Sequence, residues 1–287
     1  MEKVQKNSNI TQKIAFGFIF GLFALYTLSI FIPFLWLFMN TLKGADEYNL
    51  GHFFPQGFEI INYVEAFVEL EAYGTNLIGM IWNSVWFSVG GAILGVVCST
   101  GLAYVVSKYR FVGRTLLNGV AIAVMVIPVV GALPSQMKVY QALQMLNSPL
   151  ILLAFTSGFG MNYLVMIAAF DNLSWSYAEA SFIDGAGHFQ IFVQIMLPQV
   201  FPIFTALTLV AFIGIWNDYM SPLIFMRELP TISTGLYVYE AKNKKNFEMS
   251  KPIYFSGVVL CLLPVLTLFL IFQNTIMDIS LSGGVKE

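Results

Sequence analysis

Glu179-Ala-Ser-Phe-Ile-Asp-Gly-Ala186, with Ile195, Leu197, Pro198 and Pro202 beyond it, is the stretch whose reading decides the fold. It is polar and broken by glycine, yet it lies between two apolar runs, Pro149–Phe170 and Gln199–Phe225. Irregular polar backbone finds no hydrogen-bond partners in hydrocarbon. The stretch therefore marks a membrane face, with its neighbours in lipid.

Its local pattern predicts a helical hairpin over residues 172–198. Asp171, Asn172 and Ser174 end the preceding run. Ser174 or Ser176 caps a new helix, and Ser176-x-x-Glu179 has the spacing of a capping box. That helix is expected to reach Ile183. Gly185, between Asp184 and Gly187, supplies the break, because glycine takes left-handed backbone angles cheaply. Phe189, Phe192, Val193 and Met196 then recur at i, i+3, i+4 and i+7 and predict a second, amphipathic helix. Pro198 and Pro202 suit the first turns of the span that follows. Geometry alone leaves two roles open for Glu179: capping its own helix, or offering a carboxylate to a partner at the membrane surface.

Composition fixes the class of the rest. Hydrophobic residues make up 57% of the 287, and charged residues only 10%; mean hydropathy is +0.75. A soluble domain carries roughly 25% charged residues, so the chain reads as an all-α polytopic membrane protein. A helix needs about 20 mostly apolar residues to cross a bilayer. Six segments qualify: Ile14–Leu42, Leu77–Val105, Leu116–Ser135, Pro149–Phe170, Gln199–Phe225 and Ile253–Ile276. Residues 43–76 and 227–251 are expected as outer loops, and the chain 1–287 as one domain. Lys3, Lys6 and Lys13 precede an apolar run too long for a cleaved signal of roughly 7–15 apolar residues. Against Lys43 at the other end of that span, they favour a cytoplasmic amino terminus, hence both termini inside.

Several chemistries lack their residues. No Asp, Glu, Lys, Arg or His occupies the centre of any expected span, which argues against a proton-coupled carrier. There is no phosphate loop of the G-x-x-x-x-G-K-[ST] kind. His52 and His188 are the two histidines, and neither sits in a triad pattern. Cys98 and Cys261 lie in apolar runs without metal-ligand spacing and read as buried thiols. The net charge of −2 gives no footprint for nucleic acid. The acidic outer residues Glu65, Glu69 and Glu71 read as solvated.

The hairpin resembles the EAA loop of ABC importer permeases in Glu179, Ala180, Asp184, Gly185, Ala186, Ile195, Leu197, Pro198 and Pro202. It departs from that pattern at Ser181, where a second alanine is expected, and at Ser174, where a proline often opens the helix. Trp216-Asn-Asp-Tyr219 followed by Thr234-Gly-Leu236 resembles the carbohydrate branch of that family, as do Asn83-Ser84, Ala103-Tyr104 and Ile127-Pro128. The tail Gly283-Gly-Val-Lys286 resembles the ending of its maltose-permease-like second subunit.

The resemblance implies a type I importer permease fold, six membrane helices and a cytoplasmic coupling hairpin, in a bacterial cytoplasmic membrane. It implies as partners a homologous second permease, two ATPase subunits and an extracytoplasmic sugar-binding protein. ATP and Mg would be bound by the ATPases, with no cofactor and no catalytic residue on this chain. Glu179, Ala180, Asp184, Gly185, Ala186, Leu197 and Pro198 would couple to the ATPases. Asn83, Trp86, Trp216, Asn217 and Tyr219 are the implied candidates for the sugar pathway. Lys242, Lys244 and Lys245 would face the binding protein, or simply water. A polyol or glycerol phosphate importer is the nearest alternative. A lone secondary carrier, which leaves the hairpin unexplained, and a membrane scaffold, which should tolerate a bulky residue at Gly185, remain rivals from other classes.

Overall fold

Long apolar stretches without charge are forced into helix wherever lipid offers their backbone no partners. The computed structural model describes residues 2–127, 131–243 and 247–282, with side chains over 12–127, 131–243 and 251–273. Among these, four helices are long and apolar enough to cross a bilayer: Gln12–Thr41, Leu77–Lys108, His188–Asn217 and Lys251–Gln273. The first belongs to α1 (Glu2–Thr41) and the last to α13 (Phe247–Ser282). Between α1 and α4 (Leu77–Lys108) come α2 (Ala45–Asn49), α3 (Ile61–Glu69) and a hairpin of β1 (Glu71–Ala72) and β2 (Thr75–Asn76). Glu71 pairs with Asn76 and Ala72 with Thr75, antiparallel.

The expected third and fourth spans are not single helices. α5 (Arg114–Val126) ends at Ile127, whose backbone is extended at φ −81 and ψ 112. Pro128 excludes the helical region for the residue before it. α6 (Leu133–Ala142) then starts afresh with proline in its first turn. Ser148 Oγ accepts from the Leu150 N–H and opens a 3-10 helix, Pro149–Phe155. Left-handed Gly158 and Gly160 separate it from α7 (Met161–Asp171).

The outer loop expected at 227–251, with some structure of its own, contains a helix. Its centre is α12 (Ile232–Lys242), with Ile232, Thr234, Gly235, Leu236, Val238 and Tyr239 buried. The segment looks like a loop because serine, threonine and glycine dominate its start. Tertiary hydrogen bonds satisfy those side chains instead of water, as shown below.

The chain divides into two units, residues 1–69 with 242–260 and residues 70–241 with 261–287. The smaller is held by a polar knot at the end of α1. Asn62 Nδ2 donates to the carbonyls of Thr41 and Lys43, each at 2.8 Å. Lys43 Nζ, itself buried, donates to Asn40 Oδ1 at 2.8 Å and to the His52 carbonyl at 2.6 Å. Burial pushes the Lys43 ammonium below the usual lysine range, and the Glu47 carboxylate opposes that shift. Trp36 and Tyr48 pack against Phe255.

The larger unit is built on α4, which packs along α7 and α10 (Leu197–Asn217). Near its start, Asn83 Nδ2 donates to the Pro230 carbonyl at 3.1 Å. Ser84 Oγ accepts from the Ile232 N–H at 2.7 Å. Ser233 Oγ donates to the Trp216 carbonyl and Thr234 Oγ1 to that of Tyr219. Gly235 lets α12 approach α4 so closely that an added Cβ would land on Met80 Sδ. Met80 is itself buried. Gly235→Ala is therefore expected to destabilise the protein by about 1–3 kcal/mol through overpacking. Thermal unfolding in detergent checks this, and Met80→Ala on top of Gly235→Ala should recover part of the loss.

Candidate functional site

The residues of the hairpin are brought together much as their spacing suggests, with three local differences. α8 spans Ser176–Ile183. Its start carries no side-chain cap at Trp175, and the Glu179 N–H bonds to the Trp175 carbonyl. The capping box expected of Ser176 and Glu179 is thus not formed. Ser174 Oγ accepts from the Ser176 N–H at 3.3 Å instead, one of the two serines expected to serve there.

The end of α8 follows its sequence closely. Gly185 adopts φ +86. The Ala186 N–H donates to Ser181 O at 3.0 Å and the Gly185 N–H to Phe182 O at 3.1 Å, the paired bonds of a Schellman motif. A Cβ at Gly185 would meet nothing within 4 Å. The requirement for glycine here is conformational and not steric.

The second limb is not a separate helix. α9 (His188–Ile191) runs through a wide π turn, Phe192–Met196, into α10. Together they make one 30-residue helix, His188–Asn217. Pro198 has no N–H and its ring crowds the carbonyl of Gln194, and the wider turn relieves that conflict. Gln199 Nε2 donates to the Ile195 carbonyl at 2.9 Å beside it. The turn also shifts the buried face. Ile191, Met196 and Val200 are the buried residues, while Phe189 and Val193 of the expected stripe are exposed.

One side of the hairpin is fixed to the end of α4. Ser107 Oγ donates to Asp171 Oδ1 at 2.5 Å, and Lys108 Nζ to the Leu173 carbonyl at 2.7 Å. Tyr109 Oη and His188 Nδ1 share a hydrogen bond of 2.8 Å, its direction set by the histidine tautomer. Tyr109 also meets the Trp175 ring edge-on, and Phe182 meets His188 with centroids 4.8 Å apart. Ala178 and Ile191 are buried in the cluster formed with Tyr104, Tyr163, Met166 and Phe170.

The other side is open. Glu179, Ala180, Asp184, Gly185 and Pro198 are exposed, while Ala186 and Leu197 are half-buried. Ile183 and Phe189 show 87% and 78% of their surface, a large apolar exposure for so polar a turn. Tyr109 was not singled out in the sequence. A tyrosine just past an apolar run reads as an interfacial anchor, and only the fold reveals the hairpin beneath it.

The pathway candidates separate into two groups. Trp216 is buried, stacks on Phe212 and donates from Nε1 to the Cys261 carbonyl at 3.1 Å. Asn83 is buried and accepts from Trp86 Nε1 at 3.2 Å while bonding Pro230. Trp86 is half-buried. Asn217 and Tyr219 are exposed, and the Tyr219 ring stacks on Tyr237 with centroids 4.8 Å apart. Lys242 is exposed. Lys244, Lys245 and the tail from Gly283 lie outside the described residues. Among the described residues no group of acidic, His and Cys side chains is arranged to hold a metal.

Known proteins resemble the chain in sequence and in overall fold. A family model described as "Binding-protein-dependent transport system inner membrane component" matches residues 91–277. The chain is 28% identical to the diacetylchitobiose uptake system permease protein of Streptomyces coelicolor, over 93% of this chain and 86% of that protein. It is 29% identical to the maltodextrin transport system permease protein of Streptococcus pneumoniae, over 99% of this chain and 98% of that one. Among solved structures it resembles a chain of a bacterial ABC transporter involved in the import of alginate, an acidic polysaccharide. The TM-score there is 0.74 at 20% identity, covering 90% of this chain and 95% of that chain. A second structure, of a bacterial alginate ABC transporter in complex with an alginate pentasaccharide-bound periplasmic protein, matches at a TM-score of 0.62 and 17% identity. It covers 92% of this chain and 97% of its counterpart. The helical membrane fold is thus shared.

If the α4 end holds the hairpin in place, Tyr109→Phe should loosen it slightly and Tyr109→Ala strongly. The first removes one hydrogen bond worth about 1 kcal/mol; the second also removes ring contacts worth about 0.5–1.5 kcal/mol. Hydrogen exchange over residues 176–192 is the readout, with protection falling in that order.

Proposed function

The chain belongs to the family of binding-protein-dependent transport system inner membrane components, and from that membership we propose that it is a permease subunit of an ATP-driven carbohydrate importer. It would form half of the translocation pathway and pair with a homologous permease. Two ATPase subunits would bind below, and an extracytoplasmic binding protein would deliver solute above. ATP hydrolysis would reside on the ATPases. The named substrates of the relatives, diacetylchitobiose and maltodextrin, favour an oligosaccharide. They make the polyol and glycerol phosphate alternative the weaker one.

The observation that carries the reading is the two-sided hairpin. Its inner side is tied to α4 by Ser107, Lys108 and Tyr109. Its outer side offers Glu179, Ala180, Asp184, Gly185 and the apolar Ile183 and Phe189 to water. Exposed apolar side chains around a carboxylate suit a protein cleft with a basic residue, not a solvated turn. With Ser174 and not Ser176 serving the start of α8, Glu179 has no reciprocal capping role and is left for docking. We take Ala186, Leu197 and Pro198 as the supports that set its angle.

We keep six crossings in this reading. α5 with the residues leading into α6, and the 3-10 helix with α7, would each complete one. Broken helices are tolerated at membrane depth where protein surrounds them, and Ile151, Gly158 and Met166 are buried. With Lys3, Lys6 and Lys13 inside, both termini and the hairpin are cytoplasmic. Asn217 and Tyr219 remain the exposed pathway candidates and Lys242 the exposed binding-protein candidate, whereas Asn83 and Trp216 serve as buried clamps.

Affinity purification of the tagged chain from gently solubilised native membranes tests the assembly. A second permease, an ATPase and a solute-binding protein are expected to copurify. A chain that purifies alone and moves solute without ATP would overturn the proposal. The hairpin has its own test in Gly185→Val, which forces a β-branched residue to φ +86 at about 1–2 kcal/mol or more. Transport and its coupling to ATP hydrolysis should be lost while membrane insertion is kept. Gly185→Asn should retain part of both, since asparagine tolerates left-handed angles.

A further inference from the structure

The clamps leave a polar site elsewhere in the larger unit. A partly enclosed cavity of about 160 Å³ lies between α4, α6, the 3-10 helix and α11 (Met220–Phe225). Phe87, Phe155 and Phe225 present aromatic surface to it, and Gln136, Tyr140 and Ser221 add an amide and two hydroxyls. Those three side chains have no hydrogen-bond partner among the described residues.

Its walls are held by a strained turn. Gln144 adopts φ +53, which a residue of its kind rarely does, while Asn147 at φ +50 holds an angle that asparagine tolerates. The Asn147 N–H donates to the Phe225 carbonyl and Asn147 Oδ1 accepts from the Glu228 N–H, each at 3.0 Å. Tyr140 packs edge-on against Phe225 at 4.9 Å, and Phe87 against Phe155 at 5.5 Å. Strain of this kind persists where surrounding contacts over-determine it, commonly at ligand sites.

The position also restricts the ligand. Phe87 lies toward the start of α4, away from the hairpin end at Ser107. The exposed charges of Lys138 on α6 and Glu228 after α11 suit this end of the unit to water and not to acyl chains. Aromatic faces opposite hydroxyl and amide groups match the apolar C–H faces and hydroxyl rims of a sugar. The volume falls below the roughly 300–1,000 Å³ of pockets that take a whole ligand.

We propose that this cavity is a saccharide subsite on the chain itself, holding one ring of the transported carbohydrate as it leaves the binding protein. This rests on the carbohydrate reading above. It moves substrate contact away from Asn83 and Trp216 to Gln136, Tyr140 and Ser221.

The test uses the assembled complex carrying Ser221→Cys, labelled with a maleimide after correction for Cys98 and Cys261. Maltotetraose, diacetylchitobiose and trehalose are first tried for import by the unaltered complex. The saccharide it imports should slow labelling. Tyr140→Phe and Gln136→Leu, each added singly, should raise the half-protecting concentration about five-fold, as expected for one lost hydrogen bond. If Ser221→Cys fails to assemble, Ala154→Cys on the opposite wall takes its place. Labelling that is indifferent to a saccharide the complex still imports overturns the subsite and leaves the importer standing. Protection unmoved by both further substitutions overturns it equally. An unaltered complex that imports none of the three overturns the carbohydrate reading, and the subsite falls with it.

Discussion

Everything in the larger unit hangs on the polar bonds at the two ends of α4. Near the start of the helix, Asn83 and Ser84 hold the backbone of Pro230 and Ile232. At its end, Ser107, Lys108 and Tyr109 hold Asp171, Leu173 and His188. The 24 residues between Asn83 and Ser107 span roughly 36 Å at 1.5 Å per residue. Side chains in the middle of a membrane helix gain little from the hydrophobic effect when they meet one another, because lipid is as apolar as they are. Directional bonds at the ends therefore decide where the connecting segments sit. Lys108 illustrates the logic: its stem lies along the helix while its ammonium reaches a carbonyl outside the apolar run.

How much of this was legible in the sequence depended on whether the cause was local. Gly185 was readable because a Schellman turn is set by one residue's backbone freedom and closes with bonds five and three residues back. The apolar lengths of α1, α4, α10 and α13 were readable because lipid thickness imposes them. Pro198 misled for the opposite reason. As a local signal it announces a new helix, yet the π turn at Phe192–Met196 absorbs the lost bond and keeps the helix going. The breaks at Ile127 and at Gly158 were hidden inside stretches whose average apolarity met the length criterion. Hydropathy counts residues and is blind to a backbone that must turn.

Tertiary causes were invisible. Thr231, Ser233 and Thr234 look like loop residues, and each would be one if water were its partner. Here Thr234 Oγ1 bonds the Tyr219 carbonyl, Ser233 Oγ bonds that of Trp216, and α12 is drawn into the interior. Trp216 is a pathway candidate through its resemblance to the carbohydrate branch. Its indole N–H bonds the Cys261 carbonyl, and its face stacks on Phe212. A buried indole N–H needs such a partner, so a motif rich in polar atoms is as consistent with an internal clamp as with a binding surface.

The same clamp has a mechanical meaning. Trp216 and Tyr219 stand at the far end of the helix that begins with His188, and His188 is the hairpin residue bonded to Tyr109. α4 and the helix His188–Asn217 thus join the hairpin to the α12 region by two routes, both closed with hydrogen bonds. The helix route is continuous from His188 to Asn217, and the α4 route runs from Ser107 to Asn83. The left-handed turn at Gly185 is the nearest place where the backbone geometry depends on one residue, and it lies on the exposed side of the anchors. Motion driven by a partner at that turn would be carried through this unit as a rigid displacement. That favours alternating access by rocking of whole subunits over bending within one. In such a scheme a substrate-contacting group works best beside the struts and not within them. Asn83 and Trp216, as parts of the struts, are poorly suited to exchange partners with a sugar at each cycle.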